Sequence, residues 1–367
     1  VFSHNNDAIL VSTDETGIFN AVAMDKTGAI TPLTSSDDNA VYAQSFFPDD
    51  DRVLITSDSG GNEIYHVYVR ETDGTLTDLT PGEEVRASFV GWRDDGEVFY
   101  IQTNERDPQT NDLYAYSTAD YSREMIFEND GKDIADVSPD GRWLALSKDR
   151  TNADSNIYLV DFLADDTEPQ LITEHEGDIS YGVYDFTADS ETLIYATNEH
   201  GEFNQAWTYN LASGEKHPLI EADWDVSFVF DSPTGRYLVS AINADAMTDL
   251  TIMDNETGEA VELKGIPDGE LGQIRFDRDE ETIAFGVNTD TSPFNLYVAG
   301  LNDGEATRLT NALPEAIDED DLVTAEVVRY ESFDGLEIPS IFYMPKQASA
   351  DDPVPALVWV HGGPGGQ

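Results

Sequence analysis

The sequence contains no cysteine, and only 19 lysines and arginines stand against 74 aspartates and glutamates in 367 residues. Without cysteine there are no disulfides, no thiol nucleophiles and no cysteine-ligated metals, although the redox compartment stays open. Lysine is scarce, with six in the whole chain. So little basic surface excludes nucleic acid as a partner, because phosphate recognition needs lysine and arginine. No apolar run approaches the roughly 18–20 residues of a membrane-spanning helix, so no membrane partner is expected. No secretory leader is visible either, although Val1 is not an initiator methionine.

What is present is a net charge of −55 spread along the chain, together with 40% hydrophobic and 10% aromatic residues. A disordered acidic chain would lack that apolar content. A folded protein with an acidic skin is expected. Self-repulsion of this size destabilises a compact state where screening is weak, and the screening length falls from about 30 Å at 0.01 M salt to about 3 Å at 1 M. The composition therefore reads as that of a salt-adapted, halophilic, cytoplasmic protein.

One pattern recurs along most of the chain: an apolar strand, a Pro-Asp-like turn, a second apolar strand and an aromatic third strand. Its anchors are Asn5, Asp49, Asp94, Asp140, Asp189, Thr234 and Asp279, spaced by 44 to 49 residues. The turn is clearest at Phe47-Pro48-Asp49 and at Ser138-Pro139-Asp140-Gly141. Third strands follow at Ile64–Tyr68, Asp112–Tyr116, Ile157–Val160 and Asn295–Val298, and fourth strands at Leu76–Thr80, Gln170–Thr173 and Thr307–Thr310. Four short strands per 40–50 residues is the signature of a propeller blade. The fold expected is an all-β seven-bladed β-propeller over residues 1–310, its ring closed by packing of blade one on blade seven without a shared blade.

After Thr310 the period stops. An acid-rich linker is expected over 311–325, then a hairpin from Glu326 to Tyr343 turning at Asp334-Gly335, and then the continuous apolar strand Ala356–Val360. A strand apolar on both faces belongs at the centre of a covered sheet. This one runs into His361-Gly362-Gly363-Pro364-Gly365-Gly366, the strand-to-glycine signal of an α/β-hydrolase oxyanion loop. Glycine suits a chain that must turn sharply and present an N–H to an oxygen gaining negative charge. Residues 326–367 are thus expected to be the incomplete N-terminal part of an α/β-hydrolase domain.

A propeller followed by Val328-Arg329-Tyr330, Ser332-Phe333-Asp334-Gly335-Leu336-Glu337-Ile338-Pro339 and then Val358-Trp359-Val360-His361-Gly362-Gly363 resembles the prolyl oligopeptidase family, with the acylaminoacyl-peptidase-like branch fitting best. The resemblance is loose over the blades and tight from about Leu309 to Gly366. It implies a serine peptidase acting on short peptides, with a Ser-Asp-His triad between propeller and hydrolase and a propeller that limits access. It also implies that Gly363 donates its N–H to the oxyanion hole, that Gly362 shapes the turn, and that His361 is not the triad base. No member of that triad is expected here, because the nucleophile, acid and base all follow the oxyanion strand. The chain is read as a fragment that is inactive alone. Rival readings are a protein-binding propeller with a non-catalytic hydrolase domain, and an esterase.

Inner-strand residues Tyr42, Gln44, Ser88, Tyr181, Ser227 and Gln273 are expected to line substrate access. No cofactor or metal site is expected: His66, His175, His200 and His217 lack ligand spacing, and acidic runs such as Asp49-Asp50-Asp51 lack that of a calcium loop. The resemblance also implies that propeller glutamates can hold a substrate's amino end, for which Glu83-Glu84 and Glu280-Glu281 are adjacent pairs, but Glu280-Glu281 reads as a solvated turn. Trp92 and Trp224 are expected to pack between blades. Whether the protein forms a homo-oligomer is left open.

Overall fold

The computed structural model describes residues 1–165 and 167–360, and they form seven antiparallel blades and one separate hairpin. Blades two to seven each carry four strands, while blade one has three, at Ala8–Thr13, Asn20–Asp25 and Ile30–Pro32, with Phe2 bridged to Ile9 as a stub of an inner strand. The inner strands of blades two to seven are Val41–Phe46, Ala87–Trp92, Asp133–Val137, Tyr181–Phe186, Val226–Asp231 and Glu270–Phe276. Each pairs with its second strand through a register shift, for example between Ala43 and Ser45 and between Val226 and Phe228. Such bulges bend a strand and re-aim a side chain. The core lies between neighbouring blades: Phe47, Leu54, Phe99 and Tyr116 of blades two and three pack in one cluster. Trp92 joins that cluster, as expected, and its indole N–H donates to Ser45 at 2.9 Å.

The inner-to-second-strand turns repeat one hydrogen-bond scheme. Ser138 N–H donates to Trp143 O and Gly141 N–H to Ser138 O, and the same pairs recur from Thr187 to Thr192, Ser232 to Tyr237 and Asp277 to Thr282. In blade three the scheme runs from Arg93 to Val98. Its structural anchor is therefore Asp95, which accepts Glu97 N–H, rather than Asp94. One position of this turn is left-handed: Gly96, Gly141 and Gly235, but also Asn6, Ser190 and Glu280. At Gly141 a Cβ would collide with the Tyr100 hydroxyl of the neighbouring blade.

Where a side chain takes this position despite the left-handed backbone, it holds the preceding blade. Ser190 Oγ accepts Asp140 N–H at 3.0 Å. Glu280 accepts both the N–H and the hydroxyl of Thr234 at 2.7 Å, and Asn6 Oδ1 accepts Arg278 N–H at 2.9 Å. Glu280 is only 4% exposed, so it is not a solvated turn residue. Two otherwise orphaned donors take the carboxylate out of water.

The ring closes as expected, with no strand exchanged between blades one and seven among the described residues. Phe2 and Ile9 pack on Ala284 and Val298, Asn6 Nδ2 donates to Asp279 at 2.8 Å, and Lys26 lies 3.3 Å from Asp277.

Beyond the disc, the segment 311–325 includes the short 3-10 turn Glu319–Asp321, and the hairpin forms at Glu326–Glu331 and Glu337–Phe342. The strand expected at Ala356–Val360 is not paired: Leu357, Val358, Trp359 and Val360 are 84–87% exposed. A strand apolar on both faces needs neighbours on both edges and cover on both sides. Among the described residues none is supplied.

Candidate functional site

The connections between second and third strands lie on the disc face opposite the repeated turns, and they are unequal. Blades three, four, six and seven use two residues each, at 108–109, 152–153, 245–246 and 290–291, whereas blades one, two and five use 14–19, 58–65 and 198–204. Longer loops on a rigid scaffold are where binding groups concentrate. The hairpin stands on this same face. Arg329 clamps Asp245 of blade six with both carboxylate oxygens at 2.6 Å, and Asp290 of blade seven accepts the Tyr343 hydroxyl at 2.7 Å and Ala325 N–H at 2.8 Å.

The six residues expected to line access sit on the inner strands of five blades around the axis rather than in one pocket. Ser88, Ser227 and Gln273 are exposed. Gln44 turns its amide to Thr56 of its own blade at 3.0 Å. Tyr181 is buried: its hydroxyl donates to Glu199 at 2.8 Å, and its ring lies 5.2 Å from His175. Burial and the adjacent Glu199 carboxylate push its phenol well above the ordinary value. Tyr181 thus positions Glu199 in the 198–204 loop instead of facing the axis.

Tyr42 has partners that sequence reasoning missed. Its ring is 5.2 Å from Phe19, at the end of the blade-one loop, and 6.0 Å from Tyr65, at the end of the blade-two loop. All three are partly buried. The Tyr65 phenol is held above its ordinary value by partial desolvation, then by neighbouring groups that include the charges of Asp58 and Glu63. Asp58 also lines a neighbouring cleft of about 450 Å³ with His66, Tyr68 and Glu83.

Near the axis, toward the repeated turns, is a second electrostatic feature. Asp136 of blade four accepts Val137 N–H at 2.8 Å and Phe186 N–H of blade five at 3.3 Å. Asp185 of blade five accepts Asp231 N–H of blade six at 3.3 Å. The two carboxyls act on each other across the blade boundary. Burial raises both above the ordinary carboxylate range, and for Asp185 the facing Asp136 adds to it.

Residues 32–312 match the model of the prolyl oligopeptidase N-terminal β-propeller domain. The chain belongs to that family. It is similar to dipeptidyl aminopeptidase BIII of Pseudoxanthomonas mexicana, 27% identical over 345 residues that cover 88% of this chain and 48% of the relative. Among solved structures it resembles one from a study of two prolyl endopeptidases, with a TM-score of 0.69 at 15% identity over 94% of this chain and 55% of that one. It also resembles apo prolyl oligopeptidase B from Galerina marginata, with a TM-score of 0.65 at 14% identity over 90% and 52%. At these identities the structural likeness speaks for the fold. The chain spans about half the length of the relatives it matches. Gly362 and Gly363, expected at the oxyanion loop, lie outside the described residues. Among the described residues no group of three or more metal-ligating side chains converges, and no helix is long and apolar enough to cross a membrane.

Proposed function

We propose that this propeller is the access-limiting half of a serine peptidase that cleaves short peptides by an acyl-enzyme route. One observation carries the reading: the family's propeller presents, on its long-loop face, a hairpin whose apolar side chains have no cover. Phe333 is fully exposed, and Tyr330, Leu336, Ile341 and Met344 are each more than half exposed. Apolar surface of this extent marks a site of further packing. The hydrolase domain is its natural occupant, beginning at the hairpin and continuing through the segment ending in His361-Gly362-Gly363. In this reading Gly363 offers its N–H to the oxyanion, Gly362 permits the turn, and the Ser-Asp-His triad comes from sequence beyond the motif.

The resemblance favours an acylaminoacyl-peptidase-like preference, whereas the curated relative is named a dipeptidyl aminopeptidase. The carboxylates of Asp58, Glu63 and Glu199 on the loop face favour a free ammonium over a blocked amino end. The acidic composition supports work in concentrated salt inside the cell.

The test is to express the chain with its native continuation and to offer it aminoacyl, acetyl-aminoacyl and prolyl chromogenic amides in molar KCl. Cleavage blocked by a serine-directed reagent is expected, fastest with the free amine. If none of the three is cleaved, the propeller is a binding module and the peptidase reading falls. If only esters are turned over, the enzyme is an esterase.

A further inference from the structure

We infer that Phe19, Tyr42 and Tyr65 form a subsite for an aromatic side chain of a peptide carrying net positive charge. This inference rests on the peptide-substrate reading above and adds to it a side-chain preference and a place.

The inner strands show how unusual the position is. Tyr42 stands five residues before the first residue of its blade's turn, and the same place is held by Ser88, Asp133, Gly182, Ser227 and Gly272 in blades three to seven. Blades two to five bulge at one place, three residues before the turn, whereas blade six bulges at Ser227 and blade seven between Gly272 and Arg275. Of the six residues at this position only Tyr42 is aromatic. It meets two more rings supplied by the irregular loops 14–19 and 58–65.

The ring geometry is suited to accept another ring. Phe19 and Tyr42 are inclined at 36°, Tyr42 and Tyr65 at 64°, with centroid separations of 5.2 and 6.0 Å. Aromatic pairs favour such tilted and edge-on arrangements at 4.5–7 Å, and an incoming phenyl group extends the series.

Charge fixes the class of peptide. The carboxylates of Asp58 and Glu63 act on Tyr65, and only such near neighbours count where molar salt screens charge beyond about 3 Å. A cation near a ring face gains further attraction.

The test uses this chain in molar KCl and three tripeptide amides: Phe-Ala-Lys, Ser-Ala-Lys and Phe-Ala-Glu. Affinity is read by titration, and the contact by saturation-transfer NMR. The phenylalanine–lysine peptide should bind about three- to tenfold more tightly than the serine one, the range of one aromatic pair, with transfer strongest to its ring protons. The glutamate peptide should bind more weakly than its lysine counterpart. Tyr42→Ala should abolish the phenylalanine preference, whereas Tyr65→Phe, which keeps the ring, should preserve it. Near-ultraviolet circular dichroism checks that both variants stay folded.

Equal affinity for the phenylalanine and serine peptides, an unchanged preference in Tyr42→Ala, or no binding of any peptide at millimolar concentration would overturn the subsite. Cleavage by the longer protein is scored separately. Cleavage without the aromatic preference sinks this inference alone, and binding without cleavage sinks the peptidase reading alone.

Discussion

The two faces of the disc are built on different rules. On one, the blades end in a repeated turn, and side chains from Ser190, Glu280 and Asn6 lock one turn to the next. On the other, the connections run from two residues at 290–291 to eight at 58–65, and the hairpin is joined by a few polar contacts. The repeated face is where the ring is held together without a shared strand. The irregular face also carries bonds between blades, such as Ala87 N–H to Tyr65 O and Val226 N–H to Asn204 O, while its loops differ in length from blade to blade. The contrast is between side-chain latches repeated on one face and loops of unequal length on the other.

Salt dilution should produce the largest change, because it acts on both faces at once. Dialysis from molar KCl to about 0.01 M lengthens the screening range roughly tenfold, and the 74 acids then repel across the whole disc. Loss of the β-type circular dichroism signal is expected. An unchanged spectrum would show that the latches on the turn face outweigh the repulsion.

Breaking one latch comes next. Glu280→Ala leaves Thr234 with an unpaired N–H and hydroxyl, and hydrogen bonds to a charged group are worth about 1.5–3 kcal/mol. A fall of about 2–3 kcal/mol in urea unfolding in molar KCl is expected. Glu280 is also left-handed, at φ 53°. Glu280→Gly should therefore lose roughly 1 kcal/mol less than Glu280→Ala, since glycine removes the left-handed cost that alanine retains. Equal losses would mean that the backbone strain is not real.

The carboxyl pair near the axis predicts a pH dependence. Asp136 and Asp185 are raised above the unfolded carboxylate range, so above about pH 4 the folded state holds protons that the unfolded chain has released. Stability then falls as pH rises through the raised values, because the native state is the one binding more protons. The charged groups facing the pair are Asp231 of blade six and Arg275 of blade seven. Arg275 offsets part of the repulsion when both acids ionise. The unfolding midpoint of the native sequence should decline from pH 5 to pH 8 more steeply than that of Asp185→Asn. Parallel profiles would remove the pair from the account.

The turn face was the legible one. A turn is local chemistry, so Ser138-Pro139-Asp140-Gly141 announces itself, and seven copies fix the blade count even though blade three is misread by one residue at Asp94. Glu280 escaped because its role depends on Thr234, 46 positions away in the sequence. The available signal was a side chain standing where other copies carry glycine. Asp136 and Asp185 carried a similar signal, being acids two residues before equivalent turns. The loop face offered no repeat to compare. Tyr42 can be placed on an inner strand, but nothing in the chain links it to Phe19 or Tyr65, and Tyr181 is expected to line substrate access because alternation cannot see its bond to Glu199. The segment Ala356–Val360 reads as a central strand from its apolar content, and that content describes a sheet whose neighbours are not among the described residues.

The smallest expected effect sharpens the contrast from the hairpin's side. Arg329 and Asp245 form a close pair, but their side chains are 39% and 28% exposed, and exposed ion pairs contribute about 0–1 kcal/mol. Asp245 also occupies a left-handed turn position, at φ 50°, so alanine there would mix a charge effect with a backbone one. Asparagine keeps the turn and removes the charge. Asp245→Asn should leave the unfolding midpoint within about 0.5 kcal/mol of the native value while speeding amide exchange across 326–342. A loss as large as that of Glu280→Ala would show that the hairpin is part of the disc's own cohesion, and the division between a binding face and a holding face would not stand.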